Sequence, residues 1–148
     1  MPQTVPTYPD LRGKVAVVTG GSRGIGAATC RALASNGVRV AVNGRDRTAI
    51  DALVRELGRD AIAVAADCTR ETDVEAMRER VESELGPVDL LATFAGGFNS
   101  FTPVEQIPLE EWRQVVEANL TSTFTTVDRK STRLNSSHSR ASRMPSSA

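Results

Sequence analysis

One pattern governs residues 13–127. A short β-branched run, a turn and a segment with helically spaced apolar residues repeat in units of roughly 30 residues. Lys14-Val15-Ala16-Val17-Val18-Thr19 reads as a buried strand that stops at Gly20-Gly21. Ile25, Ala28 and Leu33, with small residues between them, predict a helix closed by Asn36-Gly37. Residues 38–42 form a second strand. Ile50, Leu53, Val54 and Leu57 then line one face of a helix that Gly58 ends. Residues 61–65 form a third strand running into Asp67, and Val74, Met77, Val81 and Leu85 mark a third helix stopped by Gly86-Pro87. Residues 88–92 are a fourth strand, and a last helix runs from Leu109 to about Val127, starting near Pro108.

Strand and helix in strict alternation mean right-handed βαβ crossovers and a parallel sheet covered on both faces. The predicted class is therefore α/β, a doubly wound, Rossmann-like parallel sheet that stops after about four strands. A flavodoxin-like strand order satisfies the same alternation and stays open at this level. The 148 residues suffice for one domain, and no apolar run is long enough to span a bilayer. The N-terminus lacks the basic start and apolar core of a secretory signal, and Cys30 and Cys68 form no metal-binding pair, so a reduced, cytoplasmic setting is the expectation.

The first βα turn carries the chemistry. In Thr19-Gly20-Gly21-Ser22-Arg23-Gly24-Ile25-Gly26, Gly20 suits the turn, Gly24 lets a phosphate approach the backbone, and Gly26 lets helix pack closely on strand. A helix N-terminus placed there offers free N–H groups and partial positive charge to a pyrophosphate. A P-loop is excluded because no Lys-Ser/Thr pair follows the glycines. The end of the second strand, where a carboxylate would bind ribose hydroxyls, holds Asn43-Gly44-Arg45 instead. Arg45, with Arg23 as a second cation, suits a 2′-phosphate, so the expected cofactor is NADP, with NAD as the alternative; Asp46 would temper that preference.

These residues resemble the short-chain dehydrogenase/reductases. The Thr-Gly-x-x-x-Gly-Ile-Gly spacing is similar to that family's cofactor motif, and three further positions agree in register. Asp67, with Cys68 beside it, matches the acidic adenine contact. Ala95-Gly96 matches the end of an Asn-Asn-Ala-Gly segment, and Asn119 matches a helix asparagine whose backbone helps hold the active-site water relay. The two positions before Ala95 depart from the pattern, being Thr93 and Phe94. The resemblance spans about residues 11–127. It implies cofactor contacts at Thr19, Gly20, Ser22, Arg23, Gly24, Ile25, Gly26, Arg45, Asp67, Cys68, Ala95 and Gly96, with Asn119 at the catalytic centre. It also implies hydride transfer on a small carbonyl or alcohol substrate, of the 3-oxoacyl-reductase type, and a homo-oligomeric parent.

The catalytic serine and Tyr-x-x-x-Lys of that family have no counterpart. Tyr8 is the only tyrosine and precedes the first strand, and the lysines are Lys14 and Lys130 alone. An inactive cofactor-binding part of an oxidoreductase is the first expectation, and a non-catalytic dinucleotide sensor or partner protein is the second.

Composition breaks at residue 128. Residues 1–127 carry 13 Lys and Arg against 17 Asp and Glu, while residues 128–148 carry five against one and are rich in serine. Asp128, His138 and those serines contain the ingredients of a triad without its structural context. The basic residues come without aromatics to stack bases, so nucleic acid is not an expected partner, and with no bilayer-spanning run neither is a membrane. Residues 128–138 and 142–148 back-translate, in one frame, into the two ends of a common short-read sequencing adapter, separated by a barcode-sized gap. The expected organisation is an N-terminal arm (1–12), a partial dinucleotide-binding domain (13–127) and a non-native, disordered tail (128–148).

Overall fold

A computed structural model describes residues 6–97 and 101–127. The elements run β1 (Val15–Thr19), α1 (Gly24–Ser35), β2 (Arg39–Asn43), α2 (Arg47–Leu57), β3 (Ala61–Val64), α3 (Glu71–Glu84), β4 (Leu90–Thr93) and α4 (Leu109–Val116). Short 3-10 turns occupy Pro9–Leu11 and Val104–Gln106. Residues 128–148, with the triad ingredients, Lys130 and the adapter-like segments, lie outside the described residues.

All pairings are parallel and the strand order is β3-β2-β1-β4. This resolves the alternative left open by the alternation, since a flavodoxin-like sheet begins 2-1-3. Strand side chains alternate between two cores. Ala16, Val18, Val40 and Val42 meet Ala27, Cys30, Ile50 and Leu53 of α1 and α2. Val15, Val17, Ala41 and Val64 meet Val74, Met77 and Val81 of α3, with Leu85 at its end. Burial on both faces is why β1 reads as an unbroken apolar run rather than an alternating one.

Three expectations change in detail. The helix expected from Ile25, Ala28 and Leu33 is present as α1, but Ile25 and Ala28 are not what it buries; Ile25 is 74% exposed, and Gly26, Ala27 and Cys30 pack inward. The reason is steric, since a Cβ at Gly26 would collide with the Gly20 carbonyl and only small residues fit that approach. Strand β4 starts at Leu90 rather than 88, because Asp89 is used in entering the sheet. Its N–H donates to the Val15 carbonyl, and its carboxylate accepts from Val15 N (2.9 Å) and Lys14 Nζ (3.2 Å). The last helix is also not uniform, since α4 passes through a π-helical turn (Glu117–Thr121) before helical residues 122–127. Side chains of Asn119, Ser122, Thr123, Thr125 and Thr126 all donate to carbonyls one turn back, which competes with a regular helical ladder.

Strand β4 pairs only with β1 among the described strands, and its four residues are half-buried. The interior strands are β1 and β2, each flanked on both sides. Ile50, fully buried between α2 and the sheet, reports on that core. Ile50→Ala is expected to cost about 2–5 kcal/mol, read as a lower denaturation midpoint, and an unchanged midpoint would contradict the packing described.

Candidate functional site

The strand order reverses between β1 and β4, and beyond the C-terminal ends of strands at such a point doubly wound folds open a crevice. A cleft of about 600 Å³ lies there. Its walls are the glycine loop (Gly20, Ser22, Arg23, Ile25, Gly26), the exits of β2 (residues 43–46) and β3 (residues 66–69), and the exit of β4 (residues 94–97). Gln114, Val115, Ala118 and Ser122 close the remaining side.

The loop geometry follows from its glycines. Gly24 adopts φ +55°, and a Cβ there would meet nothing within 4 Å; the residue shapes the loop but is not itself among those lining the cleft. Gly26 seats the start of α1 against the loop, as described above. Arg23 is the N-cap of α1 and gives no side-chain cap, so the first N–H groups of that helix have no side-chain acceptor. Helix α2 contrasts with this, because Asp46 Oδ1 accepts from Ala49 N (3.1 Å) and caps it.

Other expected residues have supporting positions. Thr19 is 1% exposed and does not line the cleft; its Oγ1 accepts from Ala95 N at 3.3 Å and fixes the floor. Asn119 lies on the π turn. Its Nδ2 donates to the Gly97 carbonyl (2.7 Å) and to Val115 O (2.8 Å), and its Oδ1 accepts from Gly97 N (3.0 Å). The asparagine thus clamps the β4 exit by its side chain, and Gly96 must lack a Cβ because Asn119 Oδ1 fills that space.

Arg23 and Arg45 are both exposed at the cleft mouth, and Arg23 Nη2 stands 3.9 Å from Asp46 Oδ2. An exposed pair at that distance contributes little stability. Asp67 is more firmly defined. Its Oδ1 accepts from Thr69 N (3.0 Å) and Thr69 Oγ1 (2.8 Å). These bonds hold its carboxyl below the ordinary value of 3.8; partial burial opposes them, and Arg45 and Arg70 add to them. Cys68 is buried, with its thiol donating to Asn43 Oδ1 at 3.2 Å, and burial pushes it above the usual thiol value.

Sequence reasoning missed the roles of Thr69 and of the Asn43 side chain, neither of which has a periodic or motif signal. The cap by Asp46 was readable, since an Asp immediately before a helical face is a standard start signal. Tyr8 and Lys14 lie at the other end of the sheet. Tyr8 N donates to Asn36 Oδ1 beyond the end of α1 (2.6 Å), and Lys14 leads into β1. Among the described residues the cleft has no tyrosine, lysine or histidine, and no cluster suited to a metal ion occurs. No described helix is long and apolar enough to cross a membrane.

The Thr69 bonds give a prediction about pH. In Thr69→Val, Asp67 is expected to titrate higher, followed by carboxyl carbon NMR. A depressed carboxylate stabilises the fold above its unfolded value and loses that contribution as pH falls through its folded value. The variant should therefore lose less stability than the wild type on acidification. The backbone N–H of residue 69 persists in this variant, so an unchanged Asp67 titration would show that the Thr69 hydroxyl is incidental.

The short chain dehydrogenase family model matches residues 14–141. The chain is 39% identical over 118 residues to the 3-oxoacyl-[acyl-carrier-protein] reductase of Synechocystis sp., covering 77% of this chain and 47% of that protein. It is 37% identical over 113 residues to the L-fucose dehydrogenase of Oryctolagus cuniculus, covering 76% and 39%. Among solved structures, the 3-ketoacyl-(acyl-carrier-protein) reductase of Brucella melitensis complexed with NADH superposes with a TM-score of 0.76 at 32% identity, over 80% of this chain and 49% of that one. The chain spans about half the length, or less, of these relatives. With a family model covering most of its length and the strand order and glycine loop in agreement, the chain belongs to the short-chain dehydrogenase family.

Proposed function

We propose that this chain is the cofactor-binding part of an NAD(P)-dependent oxidoreductase acting on a small carbonyl or alcohol substrate, with NADP preferred. The observation that carries the reading is the uncapped start of α1, in the loop that Gly24 shapes and set at the strand-order reversal beside Arg45.

The residues present fit a dinucleotide. The backbone of Gly24, Ile25 and Gly26 would hold the pyrophosphate, with Gly20 and Ser22 shaping the loop beneath it. Asp67 and Cys68 would border the adenine. Arg45, aided by Arg23, would take a 2′-phosphate through charge-assisted bonds. Ala95 and Gly96, held by Thr19 and Asn119, would border the nicotinamide end. When bound, the nicotinamide would supply or accept the hydride. A proton for the substrate oxygen needs a donor at the same end of the cleft, and none of the described cleft residues is a tyrosine or lysine. In this reading the chain binds cofactor without turning it over.

Two of the relatives named above, the Synechocystis and Brucella melitensis acyl-carrier-protein reductases, support a 3-oxoacyl-reductase-like substrate class for the whole protein. In the same reading the protein is cytoplasmic and homo-oligomeric, and its ligands are small molecules rather than nucleic acid. The exposed apolar residues Leu109, Trp112, Leu120 and Phe124 along the last helix favour association.

Calorimetric titration with 2′,5′-ADP and 5′-ADP tests the cofactor assignment. The wild-type chain should favour 2′,5′-ADP by about tenfold, the scale of one charge-assisted hydrogen bond, and Arg45→Asp should abolish or reverse that preference. Equal affinities in the wild type would remove the NADP assignment, and binding of neither nucleotide would remove the dinucleotide reading.

A further inference from the structure

We infer that Asn43 is a positioning residue for the adenosine end of the cleft, and that its position is closed to the ribose-binding carboxylate that the end of a second strand often carries. The inference rests on the dinucleotide reading above and concerns how its two walls are held together.

Asn43 is the last residue of β2 and only 1% exposed. Its backbone carbonyl accepts from Gly21 N at 2.8 Å, which ties β2 to the glycine loop. Its Nδ2 donates to the Val64 carbonyl at 3.0 Å and to the Ala66 carbonyl at 3.1 Å, while its Oδ1 accepts from Cys68 Sγ at 3.2 Å. One residue thereby joins three exits: the glycine loop, the β2 exit that carries Arg45, and the β3 exit that carries Asp67.

Only a carboxamide of this length meets the demand. Two donors are needed for two carbonyls and one acceptor for the thiol, which uses both of its N–H groups and its oxygen. An ionised aspartate would face two carbonyl oxygens with no donor, and a protonated one would satisfy a single carbonyl. A carboxylate at position 43 would therefore point at the β3 exit and not at a ribose. The first positions beyond Gly44 where a charge meets solvent are Arg45 and Asp46. The choice between a ribose hydroxyl and a 2′-phosphate accordingly passes to those two residues, while Asn43 sets the spacing between the Arg45 and Asp67 walls.

The two roles separate in titrations of Asn43→Asp with 5′-ADP and 2′,5′-ADP, made at a temperature where circular dichroism shows the variant folded. Both affinities are expected to fall together by about tenfold, the scale of one charge-assisted hydrogen bond to the nucleotide forfeited by the displaced walls, with their ratio kept. Asn43→Ser, whose shorter hydroxyl cannot replace the bridge to both carbonyls, should show a parallel loss with the ratio likewise kept. Arg45→Asp, in contrast, should change the ratio. Unchanged affinities in folded Asn43→Asp would reduce Asn43 to a structural residue and overturn the inference. A shift of preference toward 5′-ADP in that variant would put position 43 at the ribose and overturn it equally. If neither Asn43 variant folds, the wild type decides by NMR: slow hydrogen exchange of both Asn43 side-chain amide protons supports the bridge, and exchange as fast as a surface asparagine's contradicts it. A wild-type chain that binds neither nucleotide overturns the dinucleotide reading and this inference with it, whereas the Asn43 outcomes overturn this inference alone.

Discussion

The close approach of α1 to the end of β1 is the constraint on which the site depends. Gly26 lies against the Gly20 carbonyl with no room for a Cβ, and Ala27 and Cys30 continue the contact inward. That packing fixes where the helix begins. Because Arg23 provides no side-chain cap, the first N–H groups and the positive end of the helix face the crevice at the strand-order reversal. A larger residue at Gly26 would displace the helix start from the loop that positions it. The core supplies the force for this arrangement, since β1 is buried on both faces and held between β2 and β4.

Around that fixed point the cleft is assembled from strand exits, each held by a side chain placed elsewhere. Thr19 holds the β4 exit at Ala95, Asn119 holds it again at Gly97, and Asn43 holds the β3 exit. These are bonds to backbone, so they define the course of the loops and not only the orientation of one side chain. The charged residues at the mouth are held more loosely. Arg23 and Asp46 stand 3.9 Å apart in solvent, a geometry that leaves Arg23 free to turn toward an anion.

Most of the architecture was legible in the sequence because it rests on periodicity. Val74, Met77, Val81 and Leu85 fall on one helical face and are all buried as that spacing requires. The order β3-β2-β1-β4 was not legible from alternation, which fixes crossover handedness but not which edge receives the next strand; the glycine motif was what favoured the Rossmann-like order that the sheet has. The site residues divide the same way. Gly20, Gly24 and Gly26 could be recognised because each does something only glycine does. Thr69 and the Asn43 side chain could not, because a polar residue at a strand exit has no periodic signature until its partners are brought to it. The π turn at Asn119 was equally hidden, arising from several side chains that compete with the helix for the same carbonyls.

The account turns on the start of α1 being an anion site for a dinucleotide. Backbone amide NMR of the wild-type chain during titration with NADPH tests this most directly. The account predicts that the amides of Gly24, Ile25 and Gly26 shift most and saturate together with those near Arg45 and Asp67. Saturable binding that leaves the α1 amides unmoved, with shifts confined to α4 or to the opposite end of the sheet, would contradict it.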